Sequence, residues 1–505
     1  MEKRIRRLGI FMMLCFVALF IQLNNIQVLK ANSLANNPAN PRVISVELSQ
    51  ARGAILSSDG VTLASSVPTH GGVYKYERIY NPDTAKLFSQ IVGYDSLNYG
   101  RTGVEEEYNN YLKSHSSSPV TSSLISTLHN LLVDHTTTGN VTLTINSHLQ
   151  LEVAGVMDQV QQQDSAPEEG AVVFNPKTGA IEAMYSNPTF DPRGLVNQDG
   201  KVEAATWAAL DPASPLSPLV SRTFQRGFLP GSTFKTVTSA AIYDHQPALA
   251  KLDVPPATCI PLPQSNLQLC NYGHNGPNGP EQCGGVLTVT LPASCDTAFA
   301  QYGMDLGAQS LNSEAQAFGF NQNIPIDLPG ADVSNFPTVA QLTNNKPMQA
   351  YSAFGQQNVV ATALQMALVA GGIANQGVIM TPHVMEQIRD NQGNLVTAYT
   401  PKPWVTATSA LTASAVTSLM QSVVTHGTAI NVFPASWNVA AKTGTAETGP
   451  NATLTNDWMI AFAPANDPKV AVAVVVPNQP GNDTGASVSG PPTKAILGDA
   501  LAQTP

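Results

Sequence analysis

Leu8 to Leu23 is sixteen residues without a charge, Gln22 being its only strongly polar member, and Lys3, Arg4, Arg6 and Arg7 stand just before it. Asn24 to Leu29 extends the run into the interface, giving about 20 residues, the length of one bilayer span. The four cations set the orientation: a cytoplasmic tip at 1–7, an anchor at 8–28, and the rest exported. A cleaved signal peptide is the alternative, and Ser33-Leu34-Ala35 offers a small-x-small site, but it lies far past the apolar run. The expectation is a cell-membrane protein with one uncleaved helix and an extracytoplasmic body.

Charge follows the same division. The 505-residue chain has 25 Lys+Arg and 35 Asp+Glu; five of those cations and one anion fall in residues 1–30, which leaves 20 basic and 34 acidic residues beyond. An acidic body lacks the basic footprint that phosphate backbones need, so a nucleic-acid partner is excluded. With 43% hydrophobic and 12% charged residues a large core can be buried, and the length predicts two or three domains. Cys259, Cys270, Cys283 and Cys295 crowd into 37 residues with no Cys-x2-Cys knuckle and no nearby His pair. That spacing argues against zinc, and no metal or cofactor is expected. In an oxidising compartment the stretch is expected to hold one disulfide, its pairing left open by the spacing. Cys15, in the apolar run, reads as a small buried hydrophobe.

Organisation changes near residue 165. Residues 40–140 hold short alternating runs and a Ser/Thr-rich stretch at 114–139, which predicts an elongated, small-stranded module with one or two helices. Asn140 to Ile145 reads as a strand, His148 to Gln163 as a helix, and Asp164 to Glu169 as a linker. Gly170 to Phe174 and Ala180 to Tyr185 make a hairpin about the turn Asn175-Pro-Lys-Thr-Gly179. Small-residue-rich helices then alternate with loops up to two final strands, Asp457 to Pro464 and Val470 to Val476, and a helix from about Pro492.

Chemistry enters at Pro230-Gly-Ser-Thr-Phe-Lys235. Pro-Gly is a turn that puts Ser232 at the N-terminus of a buried helix, and the i, i+3 spacing brings Lys235 onto the same face. A serine is a weak nucleophile until a neighbour takes its proton, and a lysine desolvated in a cleft can do so. The helix N-terminus adds positive potential where an oxyanion would form. Lys442-Thr-Gly-Thr-Ala-Glu447, on a strand edge before Asp457-Trp-Met-Ile460, can bind a carboxylate while its backbone pairs with an extended substrate. Lys177-Thr178-Gly179 repeats three of those letters, but Asn-Pro before it makes it a structural turn. Between the two lies Ser294-Cys295-Asp296, 62 residues after Ser232, opening a helix from Asp296 to Tyr302. Alone it is a helix cap; a second hydroxyl facing Ser232 can relay a proton. The three elements in this order are far more specific than any one of them.

These motifs resemble those of a class B penicillin-binding protein, a bacterial peptidoglycan D,D-transpeptidase, and are most similar to the actinobacterial A type of septal enzyme. Arg52-Gly-Ala-Ile-Leu-Ser-Ser-Asp-Gly60 with Leu63-Ala64, and Gly103-Val-Glu-Glu-Glu-Tyr-Asn109, resemble the family's pedestal motifs. Val141 to Asn146 resembles the strand that enters the catalytic domain. Ala353-Phe-Gly-Gln356, Thr362-Ala-Leu-Gln-Met366 and Ile373-Ala-Asn-Gln-Gly377 resemble a helix and loop behind the cleft, and Trp458 with Phe462-Ala-Pro464 the strand after Lys-Thr-Gly. The resemblance implies an α/β (α+β) transpeptidase domain of the serine β-lactamase-like fold at 166–505. Before it come a β-rich pedestal of dimerisation type at 29–165 and the single membrane helix.

The resemblance also implies roles. Ser232 becomes the acylated nucleophile and Lys235 its general base, while Ser294 and Lys442 return the proton. Lys442, Thr443, Gly444 and Thr445 line the strand that meets the substrate's terminal carboxylate and backbone. The N–H groups of Ser232 and Thr445 form the oxyanion hole. Implied partners are peptidoglycan stem peptides, β-lactams, the cytoplasmic membrane, and divisome or elongasome proteins including a membrane glycosyltransferase. One position departs from the family: its middle motif ends in Asn, a donor, where this chain has Asp296, which when ionised only accepts. Asp296 is therefore expected to pair with Lys235 and slow acylation. A class A β-lactamase needs a deacylating Glu, and no Glu-x-x-Leu-Asn occurs. A bifunctional enzyme needs a glycosyltransferase domain for which residues 31–140 leave no room. A D,D-carboxypeptidase shares the first half-reaction, and a β-lactam sensor or divisome scaffold is the non-enzymatic alternative.

Overall fold

A computed structural model describes residues 2–26, 50–69, 74–113, 115–116, 136–272, 282–449, 453–481 and 483–503. The Ser33-Leu34-Ala35 site, the interfacial extension beyond residue 26 and most of the Ser/Thr-rich stretch lie outside them. Helix α1 runs Glu2–Asn24. Its Arg6–Asn24 portion, 19 residues of mean hydropathy 1.8, is not buried against the protein anywhere. Phe11, Met13, Phe16 and Phe20 are all exposed, the apolar surface a bilayer would cover. Cys15 is likewise exposed there, so its sequence reading as a buried residue holds only with lipid around it.

Two sheets organise the rest. Their strands in chain order are β1 (Ile55–Leu56), β2 (Thr62–Pro68), β3 (Tyr76–Tyr80), β4 (Gly139–Leu143), β5 (Glu169–Phe174), β6 (Ile181–Asn187), β7 (Met385–Asp390), β8 (Leu395–Ala398), β9 (Ala440–Thr448), β10 (Leu454–Ala463) and β11 (Val470–Pro480). The helices that matter here are α2 (Ser147–Asp164), α3 (Lys235–His245), α4 (Asp296–Ala317), α5 (Ala363–Ala374), α6 (Ala410–His426) and α7 (Gly490–Gln503).

The first sheet has the order β8-β7-β4-β1-β2-β3. Val141 and Leu143 of β4 are buried while Asn140 and Thr142 are half-exposed, the alternation of a strand with one face on a core. β4 is parallel to β1 and antiparallel to β7, with Val141 opposite Ile388. The N-terminal strands thus share their sheet with a hairpin from late in the chain. A buried ion cluster ties the two pedestal-like segments: Glu105, fully buried, accepts from Arg52 Nε and from Arg78 Nε, each at 2.6 Å. Arg52 Nη1 also reaches Asn109 Oδ1 at 2.6 Å. Two arginines on one carboxylate leave its charge compensated, without which burial at this depth would be strongly destabilising.

The second sheet, β6-β5-β11-β10-β9, is antiparallel throughout. The first eight residues of β11, Val-Ala-Val-Ala-Val-Val-Val-Pro, are buried on both faces, which requires a layer on each side. One layer is α2 with α7: Leu149, Val153 and Met157 with Ile496 and Leu497 pack on Met459, Val472 and Val474. The other is α5, apolar but for Gln365 and buried at all twelve positions, packed on Phe174, Ile460 and Val475. The β5–β6 connection is the turn read from the sequence: Asn175 Oδ1 accepts from the N–H groups of Lys177 and Thr178, and Lys177 pairs with Asp467. The terminal strands and helix fall within a few residues of their sequence-based bounds.

The cysteine stretch differs from expectation. Two disulfides form, Cys259–Cys270 and Cys283–Cys295. The first joins partners directly opposite in a two-stranded ribbon, 259–261 with 268–270. The second ties the far side of the same excursion to the residue just before α4. One bridge was expected because spacing alone does not reveal that the segment folds into ribbons that bring both pairs within reach.

Candidate active site

Ser232 lies on a 3-10 turn, Gly231–Phe234, that runs straight into α3. The turn is anchored from both sides. Trp458, wholly buried on β10, donates from Nε1 to Leu229 O at 2.8 Å, and Gly231 N–H donates to Gly355 O at 3.0 Å. Gly355 belongs to the Ala353-Phe-Gly-Gln356 motif, which accounts for that motif's place behind the cleft. Gly231 has φ +53°, and a Cβ there would sit 2.9 Å from the Thr445 carbonyl carbon. Glycine is therefore what lets edge strand β9 approach the serine turn. Gly444 serves from the other side, since a Cβ on it would lie 2.7 Å from Pro230 O.

Ser294 is the hub of the site. Its Oγ accepts from Lys442 Nζ at 2.8 Å and from Lys235 Nζ at 3.3 Å. The residue has φ +56°, a conformation that costs a non-glycine residue on the order of 1–3 kcal/mol and is held by its surroundings. Those surroundings include the Cys283–Cys295 bridge on the next residue and the Cys295 N–H bond to Thr290 O at 2.9 Å. Lys235 is fully buried, and its ammonium directs hydrogen bonds to Ser294 O at 2.6 Å and Asp296 Oδ1 at 2.6 Å as well as to Ser294 Oγ. The rings of Phe299 and Phe354 flank it, their centroids 5.2 and 5.7 Å from Nζ. Lys442, also fully buried, reaches Thr443 O at 2.9 Å in addition to Ser294.

Four of the residues singled out in the sequence, Lys235, Ser294, Asp296 and Lys442, thus form one hydrogen-bonded group. The spacing argument brought Lys235 within reach of the Ser232 hydroxyl. Instead, none of its hydrogen bonds among the described residues goes to Ser232 Oγ, because two oxygens of Ser294 and one of Asp296 take its three donors. Asp296 pairs with Lys235, as expected. Thr443 Oγ1 lies 2.7 Å from Thr428 Oγ1, in the loop after α6, and Thr445 Oγ1 accepts Gly485 N–H at 3.0 Å.

Sequence reasoning missed three residues at the site. Tyr272 N–H donates to Asp296 Oδ2 at 3.1 Å, and Asn271 Oδ1 accepts from Thr297 N–H at 2.9 Å. Both follow Cys270, so the disulfide-bonded excursion is the wall that fixes the Ser-x-Asp turn. Thr428 is the third. None carries a motif, because each acts through a backbone group or a lone short side chain; the nearest signal was the cysteine that precedes the first two.

Burial pulls the Lys235 ammonium below its ordinary range, and Asp296 pushes it back up by charge and by hydrogen bond. Lys442 is pulled well below its range by burial first and by the charge of Lys235 second, with Asp296 opposing. Two buried lysines sharing one hydroxyl favour a state in which one has lost its proton. The arrangement can thus take a proton from a nearby hydroxyl and pass it across Ser294.

Residues 170–498 match the penicillin binding protein transpeptidase domain, and residues 52–141 the penicillin binding protein A dimerisation domain. The chain is 34% identical to the peptidoglycan D,D-transpeptidase PbpA of Mycolicibacterium smegmatis over 522 residues, 99% of each chain. It is also 34% identical to PbpA of Mycobacterium tuberculosis over 526 residues, covering all of both. The crystal structure of M. tuberculosis penicillin-binding protein A superposes with a TM-score of 0.77 at 32% identity, covering 90% of this chain and 100% of that one. The penicillin G acyl-enzyme complex of that protein gives 0.76 at 31% identity, covering 90% and 100%. A strand edge beside a Ser-x-x-Lys turn, a strained Ser-x-Asp hub between two lysines and full-length similarity all lead to one assignment: the chain belongs to the class B penicillin-binding proteins.

Proposed function

We propose that the protein is a peptidoglycan D,D-transpeptidase that works through an acyl-enzyme on Ser232 and is acylated by β-lactams. The observation that carries this is the Ser294 hydroxyl held between Lys235 Nζ and Lys442 Nζ next to the Ser232 turn. In the first half-reaction Lys235, as free amine, takes the Ser232 proton while Oγ attacks the carbonyl of the penultimate D-residue. The N–H groups of Ser232 and Thr445 hold the oxyanion. The proton then passes by Ser294 to the leaving amine of the terminal D-residue as the C–N bond breaks. In the second half-reaction an acceptor amine attacks the ester, returns a proton along the same path and frees Ser232. Lys442, Thr443, Gly444 and Thr445 receive the donor peptide on β9, the lysine and the hydroxyls facing its terminal carboxylate. Residues 1–7 lie in the cytoplasm, α1 crosses the membrane and the catalytic body faces outward. That places it to act with a membrane glycosyltransferase of the division or elongation machinery on newly made strands.

Mass spectrometry of the full-length protein in detergent after benzylpenicillin tests this. One adduct is expected, on the peptide containing Ser232, and none in Ser232→Ala; an adduct elsewhere, or none at all, would sink the reading. The adduct should persist for minutes to hours, since no deacylating Glu motif is present. Rapid turnover of nitrocefin would return the β-lactamase alternative.

A further inference from the structure

Asp457 is a carboxylate at the site that these steps do not use. It stands on β10 directly opposite Thr445 of β9 and is fully buried. Its Oδ2 accepts the Thr455 hydroxyl at 3.1 Å, and its backbone carbonyl accepts the Ser489 hydroxyl at 2.8 Å. Its Oδ1 has no hydrogen-bond partner among the described residues. Thr445, its direct partner across the two strands, presents its hydroxyl on the same face of the sheet. That hydroxyl already accepts from Gly485 N–H, so it has a single proton left to give.

We infer that Asp457 is a proton-dependent positioning residue for substrate binding: protonated, it leaves the Thr445 hydroxyl to donate to the substrate's terminal carboxylate, and ionised, it draws that proton to itself. An ionised Asp457 also sets a negative charge behind the strand that must receive another. The inference rests on the reading in which Thr445 contacts that carboxylate.

The surroundings put this switch in the working range. Burial, the largest influence, pushes the Asp457 carboxyl up to about 7; the Thr455 hydroxyl opposes it, Asp483 and Asp164 reinforce it, and the Thr445 hydroxyl opposes it. Each packed element contributes: β9 presents Thr445 and, farther along, Glu447, and β11 presents Val476. The loop before α7 presents Asp483, and α2 ends in Asp164. Tyr272 from the disulfide-bonded excursion has its phenol pushed up to about 12, by burial first and then by Asp457, Glu447 and Asp483. None of these neighbours is a cation that would hold Asp457 ionised at all pH.

The test compares second-order acylation of the full-length protein by benzylpenicillin, which carries the carboxylate, and by its methyl ester, which does not, from about pH 5 to about pH 9. Titration of Lys235, which acts on the serine and not on the carboxylate, affects both reagents alike and cancels in their ratio. The acid-to-ester ratio is expected to fall roughly tenfold as pH rises through the Asp457 transition, the scale of one lost hydrogen bond to a charged group. In Asp457→Asn the ratio should be independent of pH, and in Thr445→Val it should be low and equally flat. A merely structural role would slow both reagents and leave the pH dependence of the ratio unchanged. A flat ratio in the unaltered protein, which needs no variant to fold, overturns the inference, and so does a fall that survives in Asp457→Asn. With a normal Ser232 adduct, either result leaves the transpeptidase reading intact; absence of the adduct overturns both.

Discussion

Replacing Asp296 with Asn tests how this site keeps its base. The Asp296 carboxylate spans two donors, Lys235 Nζ at 2.6 Å through Oδ1 and Tyr272 N–H at 3.1 Å through Oδ2. Asn can keep the second with its carbonyl oxygen while turning its amide toward Lys235. That swaps an acceptor which stabilises ammonium for a donor which favours free amine. Hydrogen bonds to charged groups are worth about 1.5–3 kcal/mol, and about 1.4 kcal/mol is tenfold in an equilibrium. The free-base fraction of Lys235 should therefore rise about tenfold or more, up to the point where most of it is already deprotonated. The sign is fixed: burial already lowers this lysine and Asp296 is what raises it, so losing the charge lowers it further and moves the rising limb of the rate profile to lower pH. Stopped-flow acylation by benzylpenicillin from about pH 5 to about pH 9 reads both quantities. Asp296→Asn should be faster below neutrality, with its profile displaced toward acid. A slower variant with an undisplaced profile would mean that Asp296 serves to hold the lysine in place, and the argument from charge would fail.

Glu169 is fully buried on β5 and neither carboxylate oxygen has a hydrogen-bond partner among the described residues. Burial foremost, then Asp158 and Asp164, push it up to about 9, so between the ordinary glutamate range and that value the folded state keeps a proton the unfolded chain releases. Stability is thus lost progressively as pH rises through that window, and Glu169→Gln should raise it by up to about 3 kcal/mol near pH 7, with no gain at pH 4, by calorimetry. Replacing Cys283 and Cys295 together with Ala should lower stability by about 2–3 kcal/mol in denaturant titrations. It should also slow acylation, because Cys295 lies between Ser294 and Asp296; unchanged acylation would show that the turn keeps its strained form unaided.

β5, β6, β10 and β11 of the catalytic sheet were legible because each holds an apolar run between turn residues, β9 only because it carries the Lys-Thr-Gly motif, and α2 because its period is helical. The three motifs were legible because their spacing is itself the geometry: a Ser-x-x-Lys turn, a Ser-x-Asp hub and an edge strand. What spacing does not carry is side-chain direction. Lys235 on the serine's face of α3 satisfies i, i+3 whether its nitrogen bonds Ser232 or, as here, Ser294 and Asp296. The left-handed Ser294 likewise has no signature, and the bridge on the next residue joins positions 12 apart in sequence. Asp457 reads in sequence as one polar residue opening a strand, and only the register opposite Thr445 gives it a role. The β7–β8 hairpin was missed because its strands are short and largely exposed, with Leu395 and Val396 facing solvent.

That hairpin bears on how the chain is made. β4 is laid down early, yet the neighbour it needs on one side, with Ile388 opposite Val141, is not synthesised until most of the transpeptidase region has left the ribosome. Until then β4 has a bare edge on that side, and the long loop it must close makes the pairing slow. This sheet is therefore expected to mature last although its first strands are made first. A chain truncated before residue 385 should expose that edge and self-associate rather than yield a free-standing N-terminal half.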